Sequence, residues 1–221
     1  MIKACIFDMD GTTVDSIKSI AHYTNETLTK FGYKTIALDR FYNMVGNGAK
    51  NLIERALKEV SANFSNFEEI FSNYKTAYNN NPCHLSHSYD GIDQMLAELK
   101  NAGIKLGILS NKTDATVQKI NKKVFGDLID DCKGDTETAP LKPNPATLLE
   151  MIDRLNAKKD EVLYIGDTDV DIFTAKNAGV KSIGVLWGFR DRKELEDAGA
   201  DYIVKVPSEI TEIALKKFQN N

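Results

Sequence analysis

The most informative stretch of the sequence reads Lys3-Ala4-Cys5-Ile6-Phe7-Asp8-Met9-Asp10-Gly11-Thr12. Its first half, Lys3–Phe7, is a short and nearly continuous apolar run, as expected of a strand buried on both faces of a parallel sheet. Two aspartates, Asp8 and Asp10, follow at once. Ligands of open parallel sheets bind beyond the carboxyl ends of the strands. The sequence therefore predicts a binding site at these two aspartates.

Similar apolar runs recur along the chain and predict further strands. The stronger ones are Ile104–Leu109, Val162–Ile165 and Lys181–Leu186, and the weaker ones are Leu128–Cys132 and Tyr202–Val204. Amphipathic patterns between the runs predict helices, one beginning near Pro145 and others ending at Gly103 and Gly179. Strands that alternate with helices imply right-handed crossovers. The predicted fold class is α/β, with a doubly wound, Rossmann-like and mostly parallel sheet.

The alternation fails between about Asp15 and Pro82, where only helical patterns occur. Amphipathic stripes predict three helices, which span Ile17–Phe31, Ala49–Val60 and Phe67–Tyr78. Turn formers and a helix breaker in Asn79–Pro82 predict a hinge. The predicted domains are a discontinuous α/β core, residues 1–14 and 83–221, and an inserted all-helical cap, residues 15–82.

Composition argues against several classes of protein. The formal net charge of -4 disfavours nucleic acid as a partner, since phosphate backbones need a basic face. No stretch approaches the ~20 apolar residues that cross a bilayer. Three widely spaced cysteines do not suggest a disulfide framework. We therefore expect a cytoplasmic protein that binds neither nucleic acid nor membrane, either a monomer or a homodimer.

Further polar motifs follow the predicted strands. They are Ser110-Asn111-Lys112, Lys142-Pro143-Asn144-Pro145 and Gly166-Asp167-Thr168-Asp169-Val170-Asp171. Together with Asp8 and Asp10 they bring carboxylates, a hydroxyl and a lysine to one edge of the sheet. Phosphoryl transfer uses such groups: one aspartate attacks phosphorus, and a second carboxyl group moves protons. Lysine and a hard cation such as Mg²⁺ neutralise the phosphoryl oxygens.

In their order these motifs resemble those of the haloacid dehalogenase superfamily of phosphatases, and the likeness covers nearly the whole chain. The resemblance implies that Asp8 is the nucleophile. Asp10 would be the general acid/base and would give its backbone carbonyl to the metal. Ser110 would bind a phosphoryl oxygen, and Lys142 would hold the nucleophile and the phosphate. The implied Mg²⁺ ligands are Asp8, Asp10, Asp167 and Asp171.

Within the superfamily, three stretches are similar to phosphoglycolate phosphatases: Phe7–Ser16, Val45–Ala49 and Leu186–Arg190. The likeness implies a small phosphorylated metabolite as partner, with 2-phosphoglycolate first. Inorganic pyrophosphatases and β-phosphoglucomutase-like phosphotransferases share much of the pattern and remain alternatives. A non-catalytic member that binds phosphate or a protein is a further alternative, against which the presence of every catalytic aspartate argues.

Substrate contacts are expected from both predicted domains. The candidates are Thr12 and Asn111 in the core and Gly46, Asn47, Lys50 and Arg55 in the cap. A carboxylated substrate needs a cation opposite its carboxylate, which Lys50 or Arg55 would supply. The alternative for both is a solvated helix face. Asp15 and Ser16 are interpreted as caps of the first cap helix.

Overall fold

The computed structural model describes residues 1–136 and 138–216, so residue 137 and the end of the predicted core domain, 217–221, lie outside the described residues. In chain order its helices and strands are β1 Ala4–Phe7, β2 Val14–Asp15, α1 Ile17–Lys30, α2 Leu38–Phe41, α3 Gly48–Glu59, α4 Phe67–Asn80, β3 His87–Ser88, α5 Ile92–Asn101, β4 Lys105–Thr113, α6 Asp114–Val124, β5 Asp131–Asp135, α7 Ala146–Arg154, β6 Val162–Gly166, α8 Asp169–Ala178, β7 Lys181–Val185, α9 Arg192–Ala198, β8 Tyr202–Val204 and α10 Pro207–Lys216. No described helix is both long and apolar enough to cross a membrane.

The main sheet has the strand order β5-β4-β1-β6-β7-β8, and every pair in it is parallel. Its central strand, β1, is completely buried. The chain moves outward on one side through β4 and β5 and then crosses to β6, β7 and β8 on the other. The direction of winding therefore switches beside β1, which is where ligand crevices of such sheets open. The predicted fold class is confirmed.

Two of the predicted strands have a boundary that differs from the sequence prediction by more than one residue. The strand predicted at Leu128–Cys132 begins only at Asp131, because the carboxylate of Asp130 takes the place of a strand carbonyl and accepts the backbone N–H of Leu106 at 2.9 Å. The neighbouring strand, β4, continues past its predicted end at Leu109. Its pairing with β5 shifts register between Leu109 and Thr113, which leaves the intervening polar residues outside the regular ladder.

Helices α1 to α4 pack around an apolar cluster of their own. Apart from Phe189, the fully buried members of this cluster come from residues 17–78. Helix α4 continues through the predicted hinge as far as Asn80, and the carbonyl of Asn79 accepts a hydrogen bond from Lys119 at 2.8 Å. We propose that this helical region is a separate cap, as the sequence predicts.

The loop between α2 and α3 is held from both sides. From the core side, the Arg190 guanidinium donates to the carbonyls of Tyr42 and Val45, the latter at 3.1 Å. From the helical side, Arg55 donates to the carbonyl of Met44 at 2.8 Å and to Oδ1 of Asn47 at 2.7 Å. The backbone of this loop is therefore one polar connection between the two regions.

Arg190→Ala should loosen the helical region without unfolding the sheet, because it removes the donors to Val45 and Tyr42 while leaving the cluster around α1 to α4 intact. Hydrogen exchange followed by mass spectrometry should show faster exchange in residues 42–60 and unchanged exchange in β1 and β6. Arg192→Ala is the matched control, since Arg192 forms an ion pair with Glu196 on the exposed surface of its own helix. Equal exchange of residues 42–60 in both variants would contradict this role of Arg190.

Candidate active site

The carboxyl end of β1 places Asp8 at the centre of a buried ionic cluster. Nζ of Lys142 lies 2.9 Å from Oδ1 of Asp8 and 2.8 Å from Oδ1 of Asp171. Burial acts to lower the pKa of Lys142, but the charges of Asp171 and Asp8 outweigh it and hold the pKa well above its usual value. Lys142 is therefore a permanent cation that joins two carboxylates from β1 and α8.

Each of the other two carboxylates is oriented by hydrogen bonds from separate parts of the chain. Asp167 follows β6 directly, and its oxygens accept from Oγ1 of Thr12 at 2.9 Å and from the backbone N–H of Phe189 at 2.8 Å. Asp171 lies in the first turn of α8. Its Oδ2 accepts the backbone N–H and hydroxyl of Thr168 at 3.1 and 2.7 Å, a reciprocal cap of that helix.

The three aspartates form a donor set that fits a metal ion. Oxygens of Asp8, Asp167 and Asp171 lie within 4.8 Å of one another, and all three residues are buried. Burial, opposed by Lys142 and reinforced by Asp171, raises the pKa of Asp8 to about 7. The pKa of Asp167 is raised well above its ordinary value, mainly by burial and in addition by the charges of Asp171 and Asp8. A cation among these oxygens would offset that repulsion, and carboxylate oxygen is the ligand that hard divalent cations prefer.

The carboxylate of Asp10 is held by two donors that do not contact the three clustered aspartates. Its Oδ1 accepts from the hydroxyl of Ser16, and its Oδ2 accepts from Nζ of Lys112 at 2.8 Å. Ser16 does occupy the cap position of α1, but its hydroxyl makes no capping hydrogen bond and binds Asp10 instead. The structure therefore confirms the predicted cap position of Ser16, but its hydroxyl donates to a carboxylate and does not accept a backbone N–H of the helix.

Ser110 and Asn111 extend from β4 into the same region. The Ser110 hydroxyl accepts the backbone N–H of Lys112 at 3.3 Å and lines the cavity beside Asp8. The Asn111 amide is engaged by the backbone: it accepts the N–H of Lys142 at 2.9 Å and donates to the carbonyls of Lys142 and Gly46, at 3.1 and 3.2 Å. Asn111 therefore fixes the position of Lys142 and ties the loop before α3 to the core.

A cavity opens above Asp8 and Asp10, between the sheet and helices α1, α3 and α4. Its lining residues are Asp8, Asp10, Ile20, Val45, Gly46, Gly48, Ala49, Leu52, Tyr74, Lys75, Tyr78, Asn79, Ser110, Asn111, Lys112, Thr113 and Thr116. The cavity volume is about 60 Å³, which suits a substrate portion of only a few atoms. Both regions of the chain enclose it.

Several expected substrate contacts lie elsewhere. Thr12 supports Asp167 from below, and Asn47 is bound to the guanidinium of Arg55. Arg55 is committed to the loop backbone and does not line the cavity. Lys50 is exposed, with its Nζ 5.8 Å from the ring centre of Phe67. The expected placement of Lys50 and Arg55 is corrected: α3 turns its apolar face, with Leu52, toward the cavity and its charged face away from it.

Three residues of the site, which are Lys112, Thr168 and Tyr78, were assigned no role from the sequence. Lys112 stands two positions beyond Ser110, which on a strand places both side chains on one face. Thr168 and Asp171 have the spacing of a capping box, so this support of Asp171 was readable from sequence. Tyr78 had no such signal, because it belongs to the ordinary apolar stripe of α4. In the structure its ring lies against the ammonium of Lys112, 4.4 Å from Nζ to the ring centre.

A buried carboxylate cluster at the end of the central strand of a parallel sheet, beside a cavity closed by a helical region, fits a metal-dependent site for phosphoryl transfer. Residues 5–185 match the haloacid dehalogenase-like hydrolase family. The chain belongs to that family, as the order of its motifs predicts.

Curated relatives match this sequence over nearly its full length. It is 30% identical to a phosphoglycolate phosphatase of Vibrio parahaemolyticus and 32% identical to one of Aquifex aeolicus, with 96% of each chain covered in both cases. Among solved structures it is similar to a predicted phosphoglycolate phosphatase from Haemophilus somnus, with a TM-score of 0.87, 25% identity and coverage of 96% and 97%. A predicted phosphatase from Clostridium acetobutylicum gives a TM-score of 0.84, 25% identity and coverage of 98% and 99%. The prediction of a phosphatase of this family is confirmed.

Thr12→Val should weaken the binding of divalent metal by about 10- to 100-fold, the usual cost of removing a hydrogen bond that orients a metal ligand. Valine has nearly the same shape but cannot donate to Asp167. The rise in melting temperature during a metal titration measures this without any enzymatic assay. Thr76→Val, on the exposed side of α4, is the control. An unchanged titration curve for Thr12→Val would show that Asp167 needs no support from Thr12 or binds no metal.

Proposed function

We propose that this enzyme hydrolyses a small phosphomonoester, with 2-phosphoglycolate as the first candidate, through a phosphorylated Asp8 and with Mg²⁺ as cofactor. The observation that carries the proposal is the position of Asp8: at the end of β1, bordering the cavity and 2.9 Å from Lys142. The similarity to curated phosphoglycolate phosphatases over 96% of the chain supports the choice of first substrate.

In the first half of the reaction, a carboxylate oxygen of Asp8 attacks phosphorus. The Asp8–phosphorus bond forms while the bond from phosphorus to the ester oxygen breaks. Lys142 stabilises the charge on the phosphoryl oxygens, and the hydroxyl of Ser110 donates to one of them. Asp10, which borders the cavity above Asp8, gives a proton to the departing ester oxygen.

In the second half, water attacks the phosphorus of the aspartyl phosphate. Asp10, now a carboxylate, accepts the proton of that water, while the acyl phosphate bond breaks and returns the Asp8 carboxylate. Lys112 and Ser16 donate hydrogen bonds to the Asp10 carboxylate and so orient it for this role. The products are the free alcohol and inorganic phosphate.

Bound Mg²⁺ would supply charge neutralisation to the transferring phosphoryl group. Asp8, Asp167 and Asp171 would hold it through their side chains, and the backbone carbonyl of Asp10 is the fourth proposed ligand. The hydrogen bonds from Thr12 to Asp167 and from Thr168 to Asp171 would keep these two aspartates in position while the cation exchanges. Magnesium rather than calcium is proposed because three clustered carboxylates with water and phosphate suit its compact coordination.

The cavity favours a small substrate over the alternatives. Its volume of about 60 Å³ favours a compact leaving group such as glycolate. Pyrophosphate would also fit by size and is the second candidate, whereas Ile20, Val45 and Leu52 offer an apolar contact that only a carbon-containing substrate would use. A cytoplasmic location and the state of monomer or homodimer stay predictions from sequence.

Phosphate release should be fastest with 2-phosphoglycolate in a panel that also contains pyrophosphate, glucose 1-phosphate and an aryl phosphate. Activity should vanish in EDTA and return with Mg²⁺, whereas Ca²⁺ should restore little because its larger, looser coordination shell suits in-line attack poorly. Full activity in chelator would contradict the metal assignment. Faster hydrolysis of pyrophosphate than of every ester would replace the proposed substrate class and leave the roles of Asp8 and Asp10 intact.

A further inference from the structure

Lys112 is a second buried lysine of the site, set apart from the phosphoryl-binding lysine. It lies on β4 within the stretch where the pairing with β5 shifts register, and it lines the cavity together with Ser110. Lys142 lies against Asp8 and Asp171, whereas Lys112 lies against Asp10. The two lysines therefore mark two ends of the site, one at the nucleophile and one at the acid/base.

The ammonium of Lys112 is held in one position by groups from both regions of the chain. Its Nζ is 2.8 Å from Oδ2 of Asp10 in the core and 4.4 Å from the ring centre of Tyr78 on α4. Only 10% of the side chain is exposed. Burial of a charge is costly unless partners compensate for it, and here a carboxylate and an aromatic face do so. An ammonium has three hydrogens to donate, so it can bind a second anion in the cavity while still bound to Asp10.

Lys112 lies where the leaving group of the substrate would bind. Asp10 must lie within hydrogen-bond distance of the ester oxygen in order to protonate it. A group next to Asp10 therefore contacts the leaving group of the substrate, which is attached to that oxygen. In 2-phosphoglycolate a single methylene carbon separates the ester oxygen from the carboxylate. A carboxylate bound to Lys112 would therefore bring the ester oxygen within reach of Asp10.

We propose that Lys112 determines specificity by binding a carboxylate on the departing portion of the substrate, so that the enzyme selects small phosphorylated hydroxy acids. This inference rests on the proposed function and assigns to Lys112 the part that the sequence suggested for Lys50 or Arg55. Lys75 lines the same cavity from α4 and is the competing residue for this role.

The decisive quantity is the ratio of kcat/KM for 2-phosphoglycolate to kcat/KM for its uncharged amide. Any loss that both substrates share, such as a disturbance of Asp10, cancels in this ratio. Lys112→Gln keeps a donor for Asp10 but removes the charge, and it should lower the ratio by about 10- to 100-fold, the scale of a charge-assisted hydrogen bond. Lys112→Arg keeps the charge and should retain most of the selectivity.

Two further lysines serve as matched variants. Lys75 and Lys50 both place Nζ over an aromatic ring, Phe71 at 4.8 Å and Phe67 at 5.8 Å, but only Lys75 lines the cavity. Lys50→Gln and Lys75→Gln should leave the ratio nearly unchanged. An unchanged ratio in Lys112→Gln would overturn the proposal, and so would a larger fall in Lys75→Gln than in Lys112→Gln. Melting curves of each variant show that it is folded.

A binding experiment separates this inference from the proposed function. Calorimetry with the Asp8→Asn enzyme, which cannot turn over, compares the affinities of 2-phosphoglycolate and its amide with and without Lys112→Gln. A preference for the carboxylate ligand that disappears with Lys112→Gln supports the inference. If the wild type then hydrolyses neither ester, the proposed function fails and the inference about binding stands. Equal affinities for both ligands in the presence of Lys112 would overturn the inference even where hydrolysis is fast.

Discussion

The concentration of negative charge at the end of β1 is the constraint on which the rest of the site depends. Three buried carboxylates lie within 4.8 Å of one another, and one ammonium contacts two of them. Buried like charges repel strongly unless donors and cations compensate for them. The surrounding chain supplies these donors from distant positions. They come from Thr12, Lys142, Tyr164, Thr168 and the backbone N–H of Phe189.

The same constraint explains two glycines near the cluster. Asp167 is packed so closely that a β-carbon at Gly188 would lie 2.3 Å from its Cβ, and one at Gly11 would lie 2.3 Å from its Oδ2. Gly11 also has a φ of +87°, which other residues rarely adopt. The backbone therefore closes around Asp167 from both sides, and this closure brings the N–H of Phe189 to the carboxylate. The two glycines therefore allow the close backbone approach through which the charge of Asp167 is compensated.

The sheet and the core of the site were predictable because their signals are local. A buried strand followed by a polar residue is visible in the sequence, and parallel topology brings such ends together whatever their separation along the chain. The contacts from the helical region were not predictable in this way. An amphipathic stripe shows which face of α3 is buried. It does not show which side chains of the helix lie toward the active site once the helix is packed over the sheet. Lys50 was therefore expected at the substrate, whereas Lys112 and Tyr78 meet there through tertiary packing alone.

The central claim is that Asp8 itself carries the phosphoryl group, and trapping that intermediate tests it most directly. The enzyme would be mixed with substrate labelled with radioactive phosphorus, quenched in acid within the first turnover, digested and mapped by mass spectrometry. The account predicts label on the peptide that contains Asp8, released by hydroxylamine as expected of an acyl phosphate and absent from Asp8→Asn. Rapid release of phosphate with no labelled protein at any time, or label on another residue, would contradict it.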